Sequence, residues 1–147
     1  MENENLNTIV RNLLDIFPPL FKKTFKQGEF IKNSEITPVL FCILDLLYFE
    51  KTSTLTEISQ RKAITASNCS RAINQLTELG YATREVDQTD RRKTLISLTD
   101  KGNNYVEKIH KKVEQEIKQI LSTLDEKELT VLKNASDDLY RILSKVV

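Results

Sequence analysis

A polar-faced helix pattern followed directly by a hairpin pattern is the feature that most constrains the fold. Residues 65–80 place their apolar side chains on one side of a helix, where successive residues advance by about 100°. Residues 81–102, YATREVDQTDRRKTLISLTDKG, then read as a strand, a charged tip, a second strand and a helix start. This order predicts a winged helix-turn-helix, in which one helix enters the major groove of DNA and the hairpin, or wing, reaches the minor groove.

Composition sets the fold class. The chain has 147 residues, of which 39% are hydrophobic and 29% charged, as is typical of one globular domain. Only three Gly and three Pro favour long helices over many short strands. We predict a mainly α protein with a small β-hairpin wing. Within a single domain of residues 1–147, a winged helix-turn-helix lobe at 36–99 is flanked by helical regions at 1–35 and 100–147, which are the candidate dimerisation regions.

The N-terminal third shows two helix patterns. An apolar stripe begins near Asn5, and Pro18 with Pro19 should break or kink it, since proline removes a backbone donor and crowds the preceding turn. The apolar face then resumes up to a helix stop at Gly28. Thr37 followed by Pro38 predicts the next start, a capping hydroxyl before a proline at the first helical position. Residues 39–49 are apolar nearly all round, which predicts a buried helix.

Capping residues mark the remaining helices. Residues 54–57, TLTE, match the capping box, and Thr65 is placed to cap the polar-faced helix. Thr99 and Asp100 open a long amphipathic helix. A second capping box is predicted at residues 123–126, ahead of a last amphipathic helix. The polar-faced helix itself separates an inward set (Cys69, Ala72, Ile73, Leu76, Leu79) from an outward set (Ser67, Ser70, Arg71, Asn74), with Asn68 and Gln75 at the edge.

Charge supports a nucleic-acid partner and chemistry does not support an enzyme. The net charge is only +1, but residues 61–93 carry seven basic and four acidic side chains, a local charge of +3. Cys42 and Cys69 have no metal-ligand spacing and are interpreted as small core residues, and His110 as an exposed helix residue. Neither a phosphate-binding glycine loop nor a nucleophile–base motif is present. We therefore predict no enzyme activity, no metal and no cofactor.

The N-terminus, MENENLNT, lacks the form of a signal peptide, and no apolar run is long enough to cross a bilayer. These features predict a cytoplasmic protein without membrane contact. Amphipathic helices at both ends either cover each other within one chain or pack against a second copy. The pattern alone leaves both arrangements open.

The centre of the chain resembles the MarR family of transcriptional regulators. The resemblance lies in residues 55–58 (LTEI), 64–71 (ITASNCSR), 76–80 (LTELG), 87–92 (DQTDRR) and 96–102 (ISLTDKG). It implies a homodimer built by the outer helices, which binds pseudo-palindromic double-stranded DNA, usually as a repressor. A small hydrophobic or phenolic effector would release it, and the side chains suited to line such a pocket are Phe17, Phe21, Phe41 and Tyr48.

The resemblance also assigns DNA contacts residue by residue. Arg71 is expected at a guanine edge or a phosphate, and Asn68 at an adenine. Asp90 should orient Arg92 as that arginine enters the minor groove. The expected contact set comprises Thr65, Ser67, Asn68, Ser70, Arg71, Asn74, Arg84, Asp90, Arg91, Arg92 and Lys93.

Two other readings accompany the leading one. A winged helix can instead serve as a protein-interaction module without specific DNA binding. Alternatively, oxidation of Cys42 or Cys69 makes the chain a redox-responsive regulator.

Overall fold

The computed structural model describes residues 3–26 and 35–146 and contains two compact units, Met1–Lys111 and Lys112–Val147. Within the described residues, no helix is long and apolar enough to span a membrane. The elements are α1 (Glu4–Lys26), α2 (Pro38–Glu50), β1 (Thr52–Thr54), α3 (Leu55–Arg61), α4 (Ala66–Glu78), β2 (Ala82–Val86), β3 (Thr94–Leu98), α5 (Asp100–Leu121) and α6 (Glu126–Leu143). The predicted class, mainly α with a small wing, is confirmed.

The wing belongs to a three-stranded antiparallel sheet with the order β1-β3-β2. β3 lies in the middle, where Ile96 is opposite Ser53 on one side and Arg84 on the other. The hairpin of β2 and β3 agrees with the sequence-based prediction. Strand β1 was not predicted, because its three residues TST carry no apolar alternation and lead straight into the capping box of α3.

The core of the first unit is formed by one side of each surrounding helix and by the sheet. α2 contributes Leu40, Ile43, Leu44 and Leu47, and α4 contributes Cys69, Ala72, Ile73 and Leu76. The predicted inward set of α4 is confirmed; Leu79 is partly buried. The helix predicted to be buried, α2, is buried along one side only, since Val39 and Phe49 are 53% and 68% exposed. One side of α2 packs on the core, and the rotation of 100° per residue turns these two side chains away from it.

Four predicted helix caps are confirmed and one is displaced. The hydroxyls of four threonines each accept a backbone N–H from the residue three positions later: Thr37, Thr54, Thr65 and Thr99. The box predicted at residues 123–126 is wrong. The Thr123 hydroxyl donates to the carbonyl of Ile120 at the end of α5, and Asp125 caps α6 with Glu128 as its partner. Asp125 and Glu128 therefore form a capping box of the predicted kind, but it begins two residues later in the chain.

Of the break or kink predicted at Pro18 and Pro19, the break is wrong, because α1 continues through both residues, and the kink stays a prediction. Each proline removes one donor, leaving the carbonyls of Leu14 and Asp15 without an intrahelical partner. Leu14 and Asp15 are exposed, so water can solvate these carbonyls and the helix does not have to end. The stop predicted at Gly28 lies outside the described residues.

Candidate nucleic-acid interface

A tight turn sets α4 against α3. Ala63 adopts a positive φ of 50°, and the Ser59 hydroxyl donates to the carbonyl of Ile64 at 2.6 Å across the turn. Thr65 then caps α4, its hydroxyl oxygen accepting the N–H of Asn68 at 3.2 Å. These local bonds, together with the buried side of α4, fix which face of the helix is turned outward.

The outward face of α4 is polar. Ser67, Asn68, Arg71 and Asn74 are exposed, and Ser70 is half-buried. The guanidinium of Arg71 donates through Nη2 to Asn68 Oδ1 at 3.1 Å and to Ser67 Oγ at 3.5 Å. The structure therefore brings three of the predicted contact residues together in one hydrogen-bonded group. A helix whose outward face begins with short polar side chains around one arginine can lie in the major groove.

The wing tip is shaped by a carboxylate that the sequence analysis did not single out. Asp87 Oδ1 accepts the N–H and the hydroxyl of Thr89, at 2.8 and 2.7 Å, and the N–H of Asp90 at 3.4 Å. The N–H of Asp87 also donates to the carbonyl of Lys93 at 2.9 Å. An aspartate that binds the backbone two residues ahead is a known turn signature, and this signal was available in the letters DQT.

The hydrogen bonds from Thr89 favour the ionised form of Asp87. Donation first from the Thr89 hydroxyl and then from the Thr89 N–H holds the pKa of Asp87 below its ordinary value. The carboxylate therefore stays ionised and continues to accept from the tip at neutral pH.

Asp90 contacts the main chain of the tip. Its Oδ1 accepts the backbone N–H of Arg92 at 3.1 Å, and its carbonyl accepts the N–H of Lys93 at 2.9 Å. The resemblance assigned Asp90 the role of orienting Arg92, and the bond observed here orients the backbone that carries this arginine. Arg91, Arg92 and Lys93 are all exposed at the tip.

A cleft of about 610 Å³ lies between the wing and helices α3 and α4. Arg84, Arg92 and Lys93 line it on the wing side and Ser70 on the side of α4. Glu57 is the acidic lining residue, and its pKa lies below the ordinary value because the N–H and then the hydroxyl of Thr54 donate to it. Three cationic side chains and one carboxylate give the cleft a net positive charge, which suits the phosphates of a nucleic acid.

The interpretation of Cys69 as a core residue is confirmed, whereas the interpretations of Cys42 and His110 require correction. Cys69 is buried, and burial raises the pKa of its thiol, which disfavours the nucleophilic thiolate. Cys42 is exposed, contrary to the prediction of a core residue, because it projects from α2 away from the buried side. His110 is not simply exposed; it is half-buried, with Nε2 at 2.7 Å from Asp45 Oδ1 and its ring stacked on Phe49.

Comparison with known proteins supports this geometry. Residues 36–102 match the family described as "Winged helix DNA-binding domain". The chain is 33% identical over 102 residues to YkoM of Bacillus subtilis, an uncharacterised HTH-type transcriptional regulator. That match spans 67% of this chain and 65% of the length of YkoM. A MarR family protein from Bacillus stearothermophilus superposes with a TM-score of 0.76 at 22% identity, covering 98% of this chain and 99% of that one.

The chain carries a winged-helix DNA-binding domain at residues 36–102 and has the fold of MarR family proteins. Streptococcus pneumoniae FabT, solved in complex with DNA, shares the fold with this chain at a TM-score of 0.61 and 21% identity, with 99% of this chain and 96% of FabT covered. The winged-helix family match at residues 36–102 includes α2, β1, α3, α4 and the wing.

Proposed function

We propose that the protein binds double-stranded DNA in a sequence-specific manner and represses transcription from a pseudo-palindromic operator. The proposed location of the protein is the cytoplasm. One observation carries this proposal: the outward polar face of α4 and the positively charged cleft beside the wing belong to the same compact unit. The first surface suits base edges in the major groove, and the second suits phosphates. The complex of FabT with DNA supports the same use of the fold.

The roles of the residues follow from their positions. Arg71, Asn68, Ser67 and Asn74 would face the major groove from α4. Thr65 and Ser70 would approach the phosphate backbone at the edges of that helix. Arg92 would enter the minor groove, with Asp90 holding its backbone. Phosphate contacts from the wing fall to Arg84, Arg91 and Lys93.

The outer helices support a homodimer. In the first unit, α1 leaves an apolar stripe exposed, including Leu6, Ile9 and Leu14 at 52–66%. In the second unit, α6 has no buried residue, and Leu129, Leu132 and Leu139 remain 38–39% exposed. A two-fold dimer would cover such faces and would repeat α4 at a separation of about 34 Å, one turn of DNA.

The proposed switch is a small hydrophobic or phenolic effector. Phe41 lies edge-on to Tyr105 at 6.4 Å, and Tyr48 lies edge-on to His110 at 5.2 Å, so each ring already makes an aromatic contact within the first unit. An aromatic ligand would replace such edge-to-face contacts. Phe17 and Phe21 on α1 have exposed rings that a ligand could contact. Binding of the effector would lower the affinity for the operator.

Selection from a pool of duplexes with a randomised central segment tests the proposal. After several rounds of binding to the full chain and recovery, we expect the enriched sequences to converge on an inverted repeat, because a two-fold dimer presents two identical helices. A pool that remains random would contradict sequence-specific binding. Enrichment of a single half-site would retain DNA binding and contradict the dimer on a palindrome.

A further inference from the structure

The outward face of α4 contains a specific bond between two of its predicted DNA-contacting side chains. Arg71 Nη2 donates to Asn68 Oδ1 at 3.1 Å, one helical turn away, and approaches Ser67 Oγ at 3.5 Å. The amide oxygen must face the guanidinium, because the alternative amide orientation would place two donors against each other. Asn68 therefore uses its acceptor atom on Arg71 within the protein.

Both ends of Asn68 are held. Its backbone N–H donates to the Thr65 cap at 3.2 Å, and its side chain is bonded to Arg71. On the opposite side of the helix, Cys69 and Ile73 are fully buried, so α4 cannot rotate without removing them from the core. The position of the Arg71 guanidinium on the outward face is consequently defined before any ligand binds.

We propose that Asn68 is a positioning residue for Arg71 and that Arg71, held in this way, reads a single G·C pair by donating to guanine O6 and N7. This inference rests on the proposed function. It replaces the expectation that Asn68 reads an adenine by itself.

The donor count of arginine allows this arrangement. A guanidinium carries five N–H donors; one Nη2 hydrogen serves Asn68, and the other reaches Ser67 Oγ at 3.5 Å, the longer bond that a base can displace. A bidentate contact to guanine needs two more, from the outer edge of the same group. A long side chain that is already held loses less rotamer freedom on binding, so the bond to Asn68 raises affinity without touching DNA.

If Asn68 read an adenine by itself, it would need the same Oδ1 atom that accepts from Arg71. A bidentate contact requires Oδ1 to accept from adenine N6 while Nδ2 donates to N7. Oδ1 already accepts from Arg71, and this guanidinium occupies the space on that side of the amide. The two schemes therefore predict different base preferences and different coupling between the residues.

A double-mutant cycle separates the two schemes. The full chain and its Asn68→Ala, Arg71→Ala and double variants are titrated against the duplex enriched from the randomised pool. Matched duplexes carry single base-pair changes at each position of one half-site. Asn134→Ala, an exposed asparagine on α6, controls for loss of an amide elsewhere, and circular dichroism melts confirm that every variant is folded.

We expect Arg71→Ala to weaken binding about 10- to 100-fold and to abolish discrimination at one G·C pair. Asn68→Ala should cost about three- to tenfold in the parent and less than about twofold in the Arg71→Ala background, since its effect acts through the arginine. The same G·C preference should survive in Asn68→Ala.

Additive losses, together with disappearance of an A·T preference in Asn68→Ala, would overturn the inference while leaving the proposed function intact. Full discrimination at every position in Arg71→Ala would overturn it as well. Failure of the parent chain to enrich any duplex would overturn both the inference and the proposed function.

Discussion

At the scale of single residues, the packing of α5 against the segment that follows α4 requires a glycine at position 102. A Cβ atom at this position would lie 2.1 Å from the carbonyl oxygen of Tyr81. That carbonyl also accepts the N–H of Thr99 at 3.0 Å, so it cannot move away without losing a bond at the start of α5. Glycine is needed here for close approach of two backbone segments.

We predict that Gly102→Ala lowers the free energy of unfolding by about 1–3 kcal/mol, the cost of forcing an extra carbon into a packed site. Urea denaturation followed by circular dichroism measures this value. Asn104→Ala, two residues along on the exposed side of α5, serves as the control and should change it little. An unchanged midpoint for Gly102→Ala would show that the approach of Tyr81 is not as close as described.

A second residue-scale prediction concerns Asp87. Its folded-state pKa is lowered by the Thr89 hydroxyl and N–H, so the carboxylate stabilises the tip fully above its unfolded value of about 3.9. This contribution is lost as the pH falls through the lower folded value. The amide resonance of Thr89, followed by NMR during acidification, should titrate with a midpoint below about 3.9. A midpoint at or above that value would contradict the bonds at the tip.

At the scale of elements, the sequence predicted what depends on local chemistry. The caps of α2, α3 and α4 rest on side chains that bind the backbone three residues away, and the two faces of α4 follow from helical periodicity. Elements that depend on distant partners were missed or misread. Strand β1 exists because it pairs with β3, more than forty residues away in the chain.

The same distinction applies to the candidate site. Periodicity placed Ser67, Arg71 and Asn74 outward, but it cannot show that Arg71 bonds to Asn68, since that depends on rotamers. Likewise, His110 lies against Asp45 across 65 residues of chain, a pairing that no spacing rule reveals. The exposure of Cys42 depends on which side of an apolar helix meets the core.

A prediction for the wing follows from its exposed arginine. Arg92→Ala should weaken binding to the selected duplex by about tenfold, through loss of a minor-groove contact, and should leave the melting temperature unchanged. Anisotropy titrations measure the affinity, and Lys127→Ala, an exposed cation on α6, controls for the loss of one positive charge. Equal affinities for Arg92→Ala and the parent would remove the wing from the DNA interface.

At the scale of the whole molecule, each compact unit leaves an apolar helix face in contact with solvent. On α6, Leu139 and Leu143 line an open apolar concavity of about 500 Å³. We therefore predict that Leu139→Asp shifts the protein from dimer to monomer, because a carboxylate cannot be buried in an apolar contact without a partner.

Sedimentation equilibrium measures this shift, with Asn134→Asp as the control for adding one negative charge to α6. The control should remain a dimer. A parent chain that is monomeric at micromolar concentration would contradict the proposed assembly, and a dimeric Leu139→Asp would remove this part of α6 from the interface.

The most direct measurement of the central claim is an anisotropy titration of the full chain at two salt concentrations. The duplexes are the DNA that flanks its own gene and a scrambled duplex of equal length and composition. The account predicts tight binding that favours the flanking DNA and weakens steeply as salt rises, because phosphate contacts release counterions. Weak, equal binding to both duplexes would contradict sequence-specific recognition of the flanking DNA, and salt-insensitive association would indicate a winged helix used for protein contacts.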